Sequence, residues 1–136
     1  MMISTKGRYA LRVMIDLAQN GGESFVSLKA VAERQNISMK YLEMIVSILN
    51  KGNMVCSQRG KAGGYKLAKT PSEYTVGEIL RLTEGTLAPV MCLEEGAENC
   101  ERADACTTLP LWKGLNHVID EYLNRVTLDD VINRKV

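Results

Sequence analysis

Aromatic residues are scarce: the 136 residues include one Trp, one Phe and five Tyr. A core built without them is aliphatic and modest, and a small domain with such a core gains by enlarging it through dimerisation. Long apolar runs are absent as well. No stretch approaches the ~18 uninterrupted apolar residues of a membrane span, and the opening Met-Met-Ile-Ser-Thr-Lys-Gly-Arg has no apolar signal core, so a cytoplasmic protein without a membrane partner is expected. There is a single histidine, no Gly-x-Ser-x-Gly and no Walker loop, which leaves no catalytic constellation and excludes the common enzyme classes. The length leaves no room for two large domains. With 46% hydrophobic and 24% charged residues, the chain is an ordinary folded one and not a disordered segment.

The net charge of +1 conceals an asymmetry. Residues 1–68 carry ten Lys/Arg against four Asp/Glu, whereas residues 69–136 carry seven against twelve. A basic half joined to an acidic half suggests a polyanion-binding module coupled to something else. Within the basic half, Ala10, Val13, Met14 and Leu17 mark one face of a helix over 8–19, ended by Asn20-Gly21-Gly22. Ser27 caps a short helix, 28–34, with Leu28, Val31 and Ala32 facing inward, and Ser38 caps a longer one, 39–50, with Leu42, Ile45 and Leu49 on one face. Two helices joined by so short a turn describe a helix-turn-helix, and Asn36 occupies the turn position that needs a left-handed backbone; a helical hairpin of a bundle is the plainer alternative. A hairpin follows, with strands near 54–57 and 65–67 and a tip of Arg59-Gly-Lys-Ala-Gly-Gly64. Its glycines allow close approach to another backbone, and Arg59 and Lys61 put cations where phosphates or a narrow minor groove would lie, which reads as a wing, with a plain surface hairpin as the blander alternative. If helix 39–50 enters a major groove, Ser38, Lys40, Tyr41 and Glu43 stand at its exposed N-terminal end.

Beyond the hairpin, Thr75-Val-Gly-Glu78 is a capping box opening a helix through about Thr83. Thr107 or Thr108 is expected to cap another, with Pro110 in its first turn. Its stripe of Leu111, Leu115, Val118, Ile119, Tyr122 and Leu123 is wide for the terminal helix of a small domain and predicts a partner, and Thr127-Leu-Asp-Asp130 starts a short last helix. The segments divide into a winged helix-turn-helix over 1–85, a cysteine-containing loop over 86–108, and a dimerisation helix with a short C-terminal helix over 109–136. The fold class is mainly α with a small β wing.

Three of the four cysteines, Cys92, Cys100 and Cys106, fall in the loop, with seven and five residues between them. Cytosolic cysteines clustered in this way read as metal ligands or redox thiols. The gaps are not the Cys-x-x-Cys of a zinc ribbon, and they suit a site that wraps something larger than one ion, such as an iron–sulfur cluster. The loop's Glu94, Glu95, Glu98, Glu101 and Asp104 would resist thiolate formation, which a cationic centre would offset. Plain reduced surface thiols are the other possibility. Cys56 stands apart in the wing, where a small apolar filler is expected. His117 would lie about 12 Å along its helix from residue 109, too far to serve the loop.

Taken in order, Ser4-Thr-Lys-Gly-Arg-Tyr-Ala-Leu11, Ile37-Ser-Met-Lys-Tyr-Leu-Glu43, Arg59-Gly-Lys-Ala-Gly-Gly-Tyr65 and Leu111-Trp112 after three cysteines resemble the IscR/NsrR-type bacterial transcription regulators over nearly the whole chain. The resemblance implies a homodimer on a double-stranded DNA operator, with a long helix crossing its partner and an iron–sulfur cluster on Cys92, Cys100 and Cys106 that tunes DNA binding. It also implies that Glu43 discriminates among sites and that Arg59 enters the minor groove. The chain departs from the pattern in three places. Relatives usually have a shorter gap between the first two cysteines. The best-known members carry a histidine three residues after the third cysteine, where this chain has Leu109. Another branch takes a carboxylate from near the N-terminus, where this chain has Arg8. The fourth ligand is left to an acidic residue of the loop, Thr108, a group of the partner subunit or a small molecule. A [2Fe–2S] centre is favoured because one iron easily accommodates an oxygen or nitrogen ligand, with [4Fe–4S] as the alternative. The expected function is thus a repressor controlled by an iron–sulfur cluster. A thiol- or zinc-dependent regulator without a cluster comes second, and a small iron–sulfur electron carrier third.

Overall fold

The computed structural model describes residues 2–136. Six α-helices and one antiparallel hairpin follow in the order α1 (Thr5–Asn20), α2 (Leu28–Gln35), α3 (Met39–Lys51), β1 (Val55–Gln58), β2 (Gly64–Leu67), α4 (Val76–Glu84), α5 (Leu109–Arg125) and α6 (Leu128–Ile132), with 3-10 turns at Pro71–Glu73, Met91–Leu93 and Ala103–Ala105. The mainly α architecture with a two-stranded wing is the one the sequence predicts.

Five of the six helices begin where a short polar side chain satisfies an orphan amide. Ser27 accepts from the Ala30 amide and Ser38 from the Tyr41 amide, while Thr75 with Glu78 and Thr127 with Asp130 close reciprocal capping boxes. Helix α1 starts three residues earlier than its apolar periodicity suggests, because Ser4 caps it by accepting from the Gly7 amide. Between α2 and α3, Asn36 adopts φ 53° and ψ 50°, the left-handed geometry expected of the turn. Thr108 does not cap α5, and its hydroxyl lies 3.4 Å from the Cys106 sulfur instead.

The main core takes Ala10, Val13, Met14 and Leu17 from α1, Val31 from α2, and Leu42, Ile45, Val46 and Leu49 from α3, joined by Val55 and Leu67 at the wing's base. Full burial of such aliphatic side chains contributes roughly 1.5–3 kcal/mol each. Tyr74 lies in this core fully buried; its hydroxyl donates to the Met54 carbonyl and accepts from the Lys69 amide, fastening the base of the wing. The wing pairs Val55 with Leu67 and Gln58 with Gly64, and a bridge between Val26 and Tyr65 docks it against the segment before α2. A Cβ on Gly64, which has φ 151°, would strike the Val26 carbonyl.

Cys56 is exposed, contrary to the filler role expected of it. Its neighbour Val55 takes the inward position, and strand alternation turns the thiol outward opposite Lys66.

Helix α6 returns to the main core. Leu128 is fully buried there, its amide donates to the Tyr74 carbonyl, and Thr75 and Thr127 form a bridge. Helix α5 is different: none of its 17 residues is buried within the chain. It is held by Arg81 of α4, whose guanidinium donates to Asp120 at 2.8 Å and Asn124 at 2.6 Å, and by Leu123 packing on a small second cluster of Val76, Leu80, Leu87 and Val126.

Candidate nucleic-acid interface and cysteine cleft

The α2–α3 corner is fixed from beneath by a buried carboxylate. Asp16 is 1% exposed and accepts from both ends of the Arg34 guanidinium at 2.7 and 3.0 Å and from the Gln35 amide at 2.8 Å. Burial disfavours its charge, but the bonds from Arg34, Gln35 and Asn20 more than offset this and hold the carboxyl below its ordinary range. Gln35 in turn accepts from Arg12, through its side chain at 3.1 Å and its backbone carbonyl at 2.6 Å. The Arg12 guanidinium lies 4.8 Å from the centre of the Tyr9 ring, which meets the Tyr41 ring edge-on at 5.9 Å. The polar chain beginning at Asp16 therefore ends at Tyr41 in the first turn of α3.

Ser38, Lys40 and Glu43 are exposed on that first turn and Tyr41 is half-buried against Tyr9. Arg59 and Lys61 are exposed at the wing tip, beside Gly60 with φ 104°. A helix end presenting hydroxyl, ammonium, phenol and carboxylate groups can meet base edges in a major groove, and a flanking cationic hairpin can reach phosphates or the adjacent minor groove. Sequence reasoning missed Asp16, Arg12 and Tyr9. The available signal was an acidic residue on the apolar face of α1, next to Leu17.

In the segment between α4 and α5, Cys92, Cys100 and Cys106 line one cleft of about 200 Å³, together with Glu98, Lys113 and Leu109. Cys92 and Cys100 are exposed and Cys106 is half-buried. The hydrogen bond from the Thr108 hydroxyl, reinforced by the backbone amides of Thr108 and Leu109 at the start of α5, holds the Cys106 thiol below the usual thiol range. Among the described residues no three His, Cys, Asp or Glu side chains converge on a point the size of one metal ion. The three thiols line a single cleft, and thiolates are the usual protein ligands of iron–sulfur clusters. His117 is exposed on α5, 3.7 Å from Glu121, and Arg8 donates to Thr5; neither lines the cleft.

The chain entering the loop is tethered to the start of α1. Glu84, the last residue of α4, accepts from the Ser4 amide at 3.2 Å and the Ser4 hydroxyl at 2.6 Å, at the start of α1. A Cβ on Gly7 would strike this carboxylate, which accounts for the glycine.

Of the predicted dimer stripe, Leu111, Leu115, Val118 and Tyr122 are exposed, Leu111 and Val118 by 60% and 59%. Ile119 is half-buried, and Leu123 is half-buried against the second core cluster. No helix among the described residues is long and apolar enough to cross a membrane.

Residues 3–134 match the model of the Rrf2 family, described as an iron-dependent transcriptional regulator. The chain is 39% identical over 135 residues to the HTH-type transcriptional regulator IscR of Pectobacterium carotovorum, covering 99% of this chain and 81% of the relative. Among solved structures it resembles CymR, the global cysteine regulator of B. subtilis, at 40% identity with a TM-score of 0.80 and 98% of each chain covered. It also resembles T. potens IscR, at 37% identity with a TM-score of 0.76, covering 100% of this chain and 89% of that one.

Proposed function

The chain belongs to the Rrf2 family of winged-helix transcriptional regulators, and from that premise we propose that it is a homodimeric, cytoplasmic repressor whose grip on its operator is set by an iron–sulfur cluster on Cys92, Cys100 and Cys106. It is a DNA-binding regulator and not an enzyme. Membership of this family leaves no place for the electron-carrier reading.

The observation that carries the cluster reading is the shared cleft: three thiols of one loop line a single cavity at the start of α5. The iron named in the family description, and the similarity to IscR over the full chain, point the same way. When bound, a [2Fe–2S] or [4Fe–4S] cluster supplies a centre that responds to iron supply and oxidation. The protein's own residues do the rest. Cys106 is the thiol best prepared to be a thiolate. Ser38, Lys40, Tyr41 and Glu43 meet the major groove, and Arg59 and Lys61 meet the backbone and minor groove beside it. Residues 1–85 bind DNA, 86–108 hold the cluster and 109–136 assemble the dimer, with α6 fastened to the DNA-binding core. Because the loop runs from Glu84, bonded to the start of α1, to the start of α5, ordering the loop bears on both the DNA-binding unit and the dimer helix.

Anaerobic purification followed by iron and sulfide counts and a visible spectrum tests this. Wild type should be coloured with iron and sulfide in equal amounts; Cys92→Ala, Cys100→Ala and Cys106→Ala should lose most of the colour, while Cys56→Ala keeps it. Equal colour in wild type and Cys92→Ala would refute the ligand set. A second reading, a thiol- or zinc-dependent regulator without a cluster, is favoured by the lowered Cys106 thiol and by the likeness to a global cysteine regulator. It predicts colourless protein in the same experiment.

A further inference from the structure

Three thiols leave one coordination position to fill, and the cleft itself restricts what can fill it. Its remaining walls are leucine and alanine side chains, apart from Glu98, Asn99 and Lys113. Leu109, at the first helical position of α5, has no donor atom. Lys113 carries three N–H donors and no lone pair while charged, so it can balance negative charge but not ligate. Asn99 offers only a neutral amide oxygen.

The other acids of the segment lie elsewhere. Glu94 and Glu95 line a separate cavity between α4 and α5, with Arg81 and Asp120, and neither Glu101 nor Asp104 lines the cysteine cleft. The Thr108 hydroxyl is already engaged with the Cys106 sulfur. His117 is held away on α5 beside Glu121. Glu98 is the one anionic oxygen donor on the walls that carry the thiols, and it stands two residues before Cys100 in a stretch free of helix and strand, where the backbone can turn both side chains to one centre.

We infer that the Glu98 carboxylate is the fourth, oxygen ligand of the cluster held by Cys92, Cys100 and Cys106, with the Lys113 ammonium offsetting part of the added negative charge. A carboxylate offers two acceptor oxygens, either of which can face an iron. It is also a harder donor than sulfur, and an iron so ligated is the corner most readily released.

This inference rests on the cluster reading, and one set of proteins separates the two. The full-length chain is prepared anaerobically as wild type, Glu98→Gln, Glu98→Cys and the control Glu101→Gln. Iron and sulfide content, visible circular dichroism, the paramagnetic spectrum of the reduced form and the half-life against a chelator are then measured. Glu98→Gln should shift both spectra and shorten the half-life about tenfold or more. Glu98→Cys should shift the spectra toward those of a four-thiolate centre and lengthen the half-life, a gain that a misfolded variant cannot produce. Glu101→Gln should match wild type. A wild type holding cluster, with spectra and half-life unmoved in both Glu98 variants, overturns the Glu98 assignment alone. A wild type without iron and sulfide overturns the cluster reading and the assignment with it.

Discussion

Arg59 and Lys61 sit within three residues of each other on the same turn, yet they should behave differently when removed. Arginine's planar fork can read base edges or a narrow groove, so Arg59→Ala should cost about 1–3 kcal/mol of operator affinity and relax the preference among sites. Lysine acts on phosphates as a point charge, so Lys61→Ala should weaken all DNA alike and flatten the salt dependence by about one unit per subunit. Titrations of operator and random duplex at several salt concentrations check both. An Arg59 variant with unchanged operator affinity at fixed salt would remove that residue from the interface. Cys56 teaches the opposite lesson about reading single residues. Its place in a strand of the wing suggested a buried filler, but one position along a strand decides which face a side chain occupies, and Val55 already fills the inward one. The exposed thiol should therefore be replaceable: Cys56→Ala should leave the unfolding free energy, measured by urea titration, within about 0.5 kcal/mol of wild type.

The helices and the wing were legible because their signals are local. Ser27, Ser38, Thr75 and Thr127 announce their helices through hydrogen bonds only three residues long, and Asn36 announces its turn through its own φ. What escaped was made by contacts distant in sequence. Tyr74 is a fully buried plug because Met54 and Lys69 come to meet its hydroxyl, and nothing adjacent to it says so. The three site cysteines were visible as a group, but the cleft they share depends on where α5 begins relative to a loop without periodicity. Asp16 also acts at a distance, holding α2 to α1 through residues 34 and 35. Asp16→Asn should destabilise the domain by about 1–2 kcal/mol, since it turns an amide nitrogen toward the donors of Arg34 and Gln35 in a buried position, while the partly exposed Arg34 stays solvated. The pH dependence has a definite sign. The folded carboxyl titrates below its unfolded value near 3.9, so its contribution is complete above that value and is lost as pH falls through the lower, folded one. Urea midpoints between pH 3 and 6 should therefore fall more steeply toward acid for wild type than for Asp16→Asn.

The proposed dimer would account for the distribution of apolar surface. Leu111, Leu115, Val118 and Tyr122 stay exposed on a helix that contributes nothing to its own chain's buried core, while every buried side-chain polar atom among the described residues has a partner. Pairing two copies through that face would set two recognition helices about one DNA turn, roughly 34 Å, apart. Leu115→Arg should give a monomer by light scattering at micromolar concentration, with the fold of residues 5–84 retained by circular dichroism; a wild type that is itself monomeric there would rule the dimer out. Helix α5 carries one more consequence, which concerns time rather than structure. With Gly114, Asn116 and Asn124 along its length, α5 has little intrinsic helix propensity, so its backbone hydrogen bonds persist only as long as something covers them. In α1 and α3, closed over the main core, amide protons should exchange with solvent deuterium only through rare global opening. Along residues 111–122 they should exchange at a rate that falls as protein concentration rises, and that slows further when operator DNA holds two subunits together. The helix would then be a clock for how long each chain spends alone.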